Sequence, residues 1–387
     1  VDDALAAGAA AALVPEDAFG ALAALGGAVR ERSSARVVAV TGSTAKTTTK
    51  DILGALCAPL ARTVVAEGSQ NNEIGLPLTL CRLEPNTEVA VVEMGMRGLD
   101  QIAELCQVAR PDVGVITTVG PVHLELLGTV ERVAQAKAEV VESLPPGGAA
   151  VVPAGERHLE PFLQRPDLRV LRFGPGGDFV LRSFTPLGPR SKVEVEASGA
   201  RLELELNFAG RHNATNLLAA LVAYHALGLP LAEAHRGAVQ VQLSRWRGEE
   251  VPLPGDGVLI NDCYNANPLS MAAALEHLKE RAGDRRKVAV LGDMAELGAG
   301  APSYHRKIGA AAARARVDAL VAVGPLARGY VEGARGVPLT RWAPTVEQGL
   351  AALRDVLRPG DCVLVKGSRS MGLEAIGEAV AVVPARG

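Results

Sequence analysis

The sequence predicts an α/β protein: a central domain with a mostly parallel sheet plus an antiparallel hairpin, followed by a C-terminal Rossmann-like α/β domain. Three observations carry this. From residue 36, Val-rich runs alternate with helical stretches. Residues 192–208 switch to strict apolar/polar alternation. After about residue 243 a second series of apolar runs and helices begins. Near-continuous apolar strands separated by helices belong to parallel sheets covered on both faces, whereas strict alternation belongs to strands with one face in water. The 387 residues exceed what one compact core serves, and 48% apolar residues are ample for two.

Residues 1–35 are rich in Ala and Gly and hold two short helical patterns, too little for a domain of their own. The central domain spans 36–243. Its strands are RVVAVT (36–41), EVAVVEMG (88–95), DVGVITTVG (112–120) and GAAVVP (148–153), with helices near 46–60, 99–108 and 129–143. KVEVEA (192–197) and RLELELNF (201–208), separated by Ser198-Gly199-Ala200, form the hairpin. A helix begins near Arg211 in RHNATNLLAALVAYHALG, and Gly228-Leu229-Pro230 ends it. The last domain covers 244–387, with strands GVLIND (257–262), KVAVLGD (287–293), DALVAVG (318–324) and DCVLVKG (361–367).

The bulk chemistry narrows the function classes. A net charge of −3 without a basic run gives no electrostatic reason to bind nucleic acid or an anionic membrane. Five scattered cysteines without a C-x-x-C read as reduced thiols of a cytosolic protein, and the seven histidines show no zinc-ligand spacing. The opening VDDALAAGAAAALV carries Asp2 and Asp3 where a secretory signal carries positive charge. No apolar run approaches the roughly 18 residues of a membrane helix.

Strand 36–41 runs into Gly42-Ser43-Thr44-Ala45-Lys46-Thr47-Thr48 and then a helix. In such a loop, backbone N–H groups at the helix start face phosphates, the lysine adds a point charge, and the following threonine can bind Mg²⁺. A plain turn opening a helix has the same local pattern, and Ala45 stands where these loops usually carry glycine. The alanine keeps its N–H, so a negative φ and an intact cradle are expected. Glu93 falls at the carboxyl end of the next strand, where open α/β sheets bind ligands, and is a natural partner for Thr47 around Mg²⁺. His123 follows the strand after that. Lys137 is one of eight lysines against 32 arginines and sits amid alanines on the next helix. Each residue taken alone also fits a cap, a loop histidine or a solvated helix face.

TGSTAKTTTK, NNEIGLPLTL, VVEMGMRG, TTVGPVHLELLG, AQAKAEV, AGRHNATNLLAAL, NDCYNANPLSM, LGDMAELG and VLVKGSRSMGLE occur in this order over residues 36–380. The ordered set resembles the Mur ligases, and within them the MurF type. The resemblance implies a central P-loop ATPase domain and an ATP-dependent amide ligation joining D-alanyl-D-alanine to UDP-MurNAc-tripeptide through an acyl phosphate. It implies ATP and two Mg²⁺ ions as cofactors. Lys46 would contact the β/γ-phosphates, Thr47 and Glu93 would hold one ion, and His123 would help hold the second. Lys137 would be carbamylated, exchanging a cation that repels Mg²⁺ for an oxygen ligand. Asn216 would meet adenine, with His212 and Asn213 beside it. Arg247 would reach the phosphates and Asp262 the ribose. Tyr264, Asn265 and Asn267 would shape the dipeptide pocket, Asn71 and Asn72 would meet the tripeptide, and Lys366, Gly367 and Ser368 look like a further substrate site.

Two departures stand out. One is Ala45. The other is that residues 1–35 resemble only the tail end of the domain that grips the UDP moiety in such enzymes. The expectation is a monomeric cytoplasmic enzyme with two small-molecule substrates, neither binding nucleic acid nor inserting into a membrane. A related amide ligase with another acyl substrate is the second reading, and a nucleotide-binding relative without catalysis the third. YNANP and LGDMAELG favour the first reading, whereas having only the tail end of the UDP-gripping domain favours the second. Retention of Glu93, His123, Lys137, Arg247 and Asp262 argues against the third.

Overall fold

The computed structural model describes residues 1–381 and divides them between two sheets. The first comprises β1 (Arg36–Thr41), β2 (Thr63–Val65), β3 (Val89–Glu93), β4 (Val113–Ile116), β5 (Ala149–Pro153), β6 (Arg169–Phe173), β7 (Phe179–Leu187), β8 (Arg190–Ala197) and β9 (Ala200–Leu206). Their order is β2-β3-β1-β4-β5-β6-β7-β8-β9. Pairing is parallel from β2 through β7 and antiparallel across β7-β8-β9. β1 shows why the Val-rich run sits at the centre. Val38 and Val40 enter the core on one face, Val37 and Ala39 the core on the other, and all four are fully buried. Helices Lys46–Cys57 and Arg211–Ala226 cover the first face through Ile52, Leu53, Leu217 and Leu221. Helices Gln101–Ala109 and Val130–Glu142 cover the second through Ile102, Leu105, Val133 and Val140.

The hairpin expected at 192–208 is present as β8 and β9, but it is not an appendage. β7 joins it to the parallel sheet through the pairing of Phe173 with Phe179. β7 was not foreseen because its burial does not alternate and its second half is exposed.

The second sheet comprises β10 (Glu249–Leu253), β11 (Gly257–Asn261), β12 (Lys287–Gly292), β13 (Ala319–Val323), β14 (Leu339–Ala343) and β15 (Cys362–Lys366), in the order β10-β11-β15-β12-β13-β14. The four apolar strands expected from sequence are its buried centre. The two edges were missed: β10 carries Pro252, which only an edge strand tolerates, and β14 exposes Arg341 and Trp342. Helices Pro268–Ala282 and Ala301–Arg314 pack on one face, Val346–Val356 and Glu374–Val380 on the other.

Of the first 35 residues, helix Ala18–Glu31 is capped by Asp17 and docks on the central domain. Gly26 permits the approach: a Cβ there would lie 2.8 Å from Pro77 Cα. Arg30 locks the contact by donating to the carbonyls of Ala109 (2.8 Å) and Arg110 (3.1 Å). Between the carboxyl edges of the two sheets lies a cleft of about 1230 Å³, where both the P-loop and the Arg247–Asn267 segment arrive.

Candidate active site between the two sheets

The P-loop is tied to the strand beside it. Ser43 N–H donates to Thr118 O (2.9 Å), Thr44 N–H to Thr118 Oγ1 (3.0 Å), and Gly120 N–H to Ser43 Oγ (3.0 Å). Gly42 sits at φ +151°, and a Cβ there would strike Thr117 Oγ1 at 1.9 Å, so only glycine fits. The expected negative φ at Ala45 is overturned: φ is +66° and ψ 2°, in the left-handed region. Thr44 is fixed to Thr118 on one side, while Ala45 O already accepts Thr49 N–H (2.9 Å) as the first helical bond. The chain must reverse at that single residue, and the alanine absorbs the strain. The first N–H groups of the Lys46–Cys57 helix consequently open into the cleft.

Four side chains meet over this loop through three hydrogen bonds. Thr47 Oγ1 donates to Glu93 Oε2 (2.6 Å), Asn71 Nδ2 donates to Glu93 Oε1 (2.7 Å), and Arg247 Nη2 from the far side donates to Thr47 Oγ1 (2.7 Å). Arg247 also lies 4.1 Å above the Tyr264 ring, and Tyr264 OH bonds Ser69 Oγ back in the central domain. The Arg247 Nε–H is buried with no acceptor among the described residues. Lys46 Nζ donates to Gly42 O (2.9 Å). Burial pushes its pKa below the ordinary lysine range, opposed by Glu93 and aided by Arg247.

Lys137 lines the same cleft and is buried, yet no hydrogen bond or ion pair to its Nζ occurs among the described residues. Desolvation, then the nearby charge of Lys46, drives its pKa well below the usual value, against the pull of Glu139. Glu139 is occupied elsewhere, accepting the N–H groups of Asp100, Ile102 and Ala103 at the start of the 101–109 helix. His123 sits in the left-handed region (φ +51°), with Nδ1 2.5 Å from Glu296 Oε2. Burial lowers its pKa, opposed by Glu296 and aided by Lys137 and Lys46.

Asn216 Nδ2 donates to Asn213 Oδ1 (3.1 Å), which leaves its carbonyl oxygen for the cleft, while Asn213 Nδ2 bonds Ala209 O (3.0 Å). Asn267 does two jobs: it caps the Pro268–Ala282 helix in a capping box with Ser270, and its Nδ2 donates to Ser43 O (3.2 Å) across the domains. Asn72 caps the turn into Gly75–Leu80 through Gly75 N–H (3.0 Å), and Asn265 Oδ1 accepts from Ala266 N–H (2.8 Å).

A model of the Mur ligase middle domain matches residues 40–224, and one of the Mur ligase glutamate ligase domain matches residues 246–369. The UDP-N-acetylmuramoyl-tripeptide--D-alanyl-D-alanine ligase of Synechocystis is 36% identical over 353 residues, covering 90% of this chain and 75% of its own. The chain belongs to the Mur ligases, in their MurF branch. MurF from Acinetobacter baumannii superposes with a TM-score of 0.86 at 30% identity, covering 95% of this chain and 81% of its own. MurF from Thermotoga maritima in complex with ADP superposes at 0.85 with 28% identity, covering 96% and 85%.

In this Mur ligase the structure brings Lys46, Thr47, Glu93, His123, Lys137, Asn216, Arg247, Asp262, Tyr264 and Asn267 to one cleft, with Asn71 and Asn72 beside them. Two expected substrate contacts behave differently. Lys366 has its ammonium bound by Asp262 Oδ2 (2.7 Å), Asn265 O (2.9 Å) and Asp262 O (3.2 Å), so no donor remains for a substrate. It holds the turn that presents Asp262 and Asn265. Ser368 is buried and accepts Ala295 N–H (2.9 Å) instead of lining the cleft. Sequence reasoning missed Ser69, the Asp51–Ser244 bond that ties the P-loop helix to the domain junction (2.8 Å), and Glu296. Only Glu296 had a signal, its place in LGDMAELG.

Proposed function

We propose that this Mur ligase joins D-alanyl-D-alanine to UDP-MurNAc-tripeptide at the expense of ATP, in the cytoplasm. The observation that carries the reading is the meeting of two cations from different domains, Lys46 and Arg247, over the Thr47–Glu93 pair at the mouth of a helix N-terminus. A triphosphate there would supply the acceptor that the buried Arg247 Nε–H lacks. The ADP in the Thermotoga maritima relative supports the nucleotide assignment. Five unpaired cysteines suit a reducing compartment, and no described helix is long and apolar enough to cross a membrane.

The donor set fits Mg²⁺. No cluster of three or more His, Cys, Asp or Glu that could hold a metal occurs among the described residues. Mg²⁺ needs only one or two protein oxygens beside phosphates and water, which Thr47 and Glu93 offer. When bound, Mg²⁺ neutralises phosphoryl charge. His123 and a carbamylated Lys137 would hold a second ion; as an ammonium, Lys137 would repel it. The modification needs a neutral amine, and the burial of Lys137 beside Lys46 shifts it toward that form. The amine adds to CO₂, giving a carbamate and releasing a proton.

The chemistry then asks for placement rather than covalent help. The terminal carboxylate of the tripeptide, placed by Asn71 and Asn72, attacks the γ-phosphorus, and ADP leaves. Lys46 and Arg247 stabilise the charge spread over the transferring group. The amine of D-Ala-D-Ala, held near Tyr264, Asn265 and Asn267, attacks the acyl-phosphate carbonyl and loses a proton, and phosphate departs. Closing the cleft keeps water from the acyl phosphate. The test is phosphate release with ATP, Mg²⁺ and both substrates. Release that needs the tripeptide and the dipeptide together supports ligation; nucleotide binding without release on several acyl substrates would favour a non-catalytic protein.

A further inference from the structure

LGDMAELG (291–298) lies in the C-terminal domain and carries none of the roles above. Its loop is built with unusual rigidity. Asp293 Oδ1 accepts Ala327 N–H (2.6 Å), Met294 N–H donates to His305 Nε2 (3.0 Å), and Ala295 N–H donates to Ser368 Oγ (2.9 Å). Three successive residues are thus fixed by three separate elements. The fourth, Glu296, is held at φ +61°, a conformation a non-glycine residue keeps only where its surroundings impose it. Everything Glu296 then touches belongs to the central domain. Its Oε2 lies 2.5 Å from His123 Nδ1, its Oε1 3.8 Å from Arg97 Nε, and its carbonyl accepts Glu125 N–H (3.4 Å). Gly298 lies against Glu125, where an added Cβ would sit 3.4 Å from its N and Cα.

A carboxylate oxygen only accepts hydrogen bonds, so the proton of a neutral His123 imidazole must sit on Nδ1 and donate to Glu296. Nε2 is then left as a lone pair. We propose that Glu296 is a positioning residue which, reaching across from the C-terminal domain, fixes the His123 tautomer so that Nε2 is available to the cleft. The contact joins the two domains, so the C-terminal domain sets the hydrogen-bonding state of a residue in the central one. The inference rests on the placement of His123 in the ligase site given above.

The test uses the full chain with isotope-labelled histidine and no substrate. Histidine ring correlations report which nitrogen carries hydrogen, and the His123 signals are identified by their loss in His123→Asn. The wild type should show the Nδ1–H form. Glu296→Ala should move His123 toward Nε2–H, whereas Glu296→Gln, whose amide oxygen still accepts, should keep Nδ1–H. In turnover, Glu296→Ala should lower kcat by about ten- to a hundredfold with KM for ATP unchanged, and Glu296→Gln should restore most of it. An Nε2–H form in the wild type, an unchanged spectrum in Glu296→Ala, or equal losses in both variants would overturn the proposal. Because the spectrum is read without substrate, absent turnover beside the expected spectrum would count against the ligase reading alone.

Discussion

Replacing Ala45 by glycine should strengthen this enzyme. At φ +66° the alanine Cβ crowds the following carbonyl, a conformation that costs a non-glycine residue about 1–2 kcal/mol. Glycine removes that strain, but its freer unfolded chain returns about 0.4–1 kcal/mol. Taken at the middle of each range, the net gain is about 0.8 kcal/mol. For a domain of about 200 residues each kcal/mol moves the midpoint by about 2–4 °C, so the central domain's Tm should rise by about 1–4 °C. Whatever part of the strain the empty loop relieves by relaxing appears in nucleotide affinity instead, as a gain of about two- to fivefold for the same energy. Scanning calorimetry on the ligand-free protein and titration with a non-hydrolysable ATP analogue separate the two. A lower Tm together with unchanged or weaker nucleotide binding in Ala45→Gly would refute the left-handed geometry and the strain assigned to it.

Lys137→Ala should reduce phosphate release by about a hundredfold or more, with partial recovery on adding short carboxylates that occupy the vacated space; full activity in the variant would remove the carbamate. Arg247→Lys keeps the charge but loses the flat face that stacks on Tyr264 and the planar fork that directs Nη2 to Thr47, so kcat/KM for ATP should fall by about tenfold or more, measured at saturating tripeptide and dipeptide. His277 is buried, and its imidazole pKa is pushed down to about 4 by burial and then by His212. The unfolded chain binds the proton that the folded ring refuses, so its contribution is intact above pH 6.5 and lost as pH falls from there toward 4. Urea unfolding should show about 2 kcal/mol less stability at pH 5 than at pH 7 from this residue, and His277→Gln should flatten that part of the slope.

The centre of each sheet was legible because burial on both faces leaves a run of Val, Ile and Leu that nothing else explains. The edges were not: β10 and β14 mix charge, proline and tryptophan, since an edge needs only half its surface covered. The P-loop and Glu93 were legible from residue types at strand and helix ends, Lys137 as a rare lysine amid alanines, and Arg247 only through the family resemblance. What each of them touches was not. That Lys366 spends its donors on the turn after β11 follows from the pairing of β11 with β15, 104 residues apart in sequence; that Ser368 steadies a loop follows from the pairing of β12 with β15, which brings it to Ala295, 73 residues away. Ala45 failed for a different reason. Its conformation is set by the bond of Thr44 to Thr118, in the loop after β4, so no local preference of alanine could reveal it.

The account stands most directly on the path of one oxygen atom. With the terminal carboxylate of UDP-MurNAc-tripeptide labelled with heavy oxygen, attack on the γ-phosphorus followed by amide formation carries one labelled atom into the released phosphate. Mass analysis of that phosphate after turnover with D-Ala-D-Ala should find one heavy oxygen per molecule. Unlabelled phosphate, with the label retained in the peptide or passed to water, would contradict an acyl phosphate formed between Lys46 and Arg247.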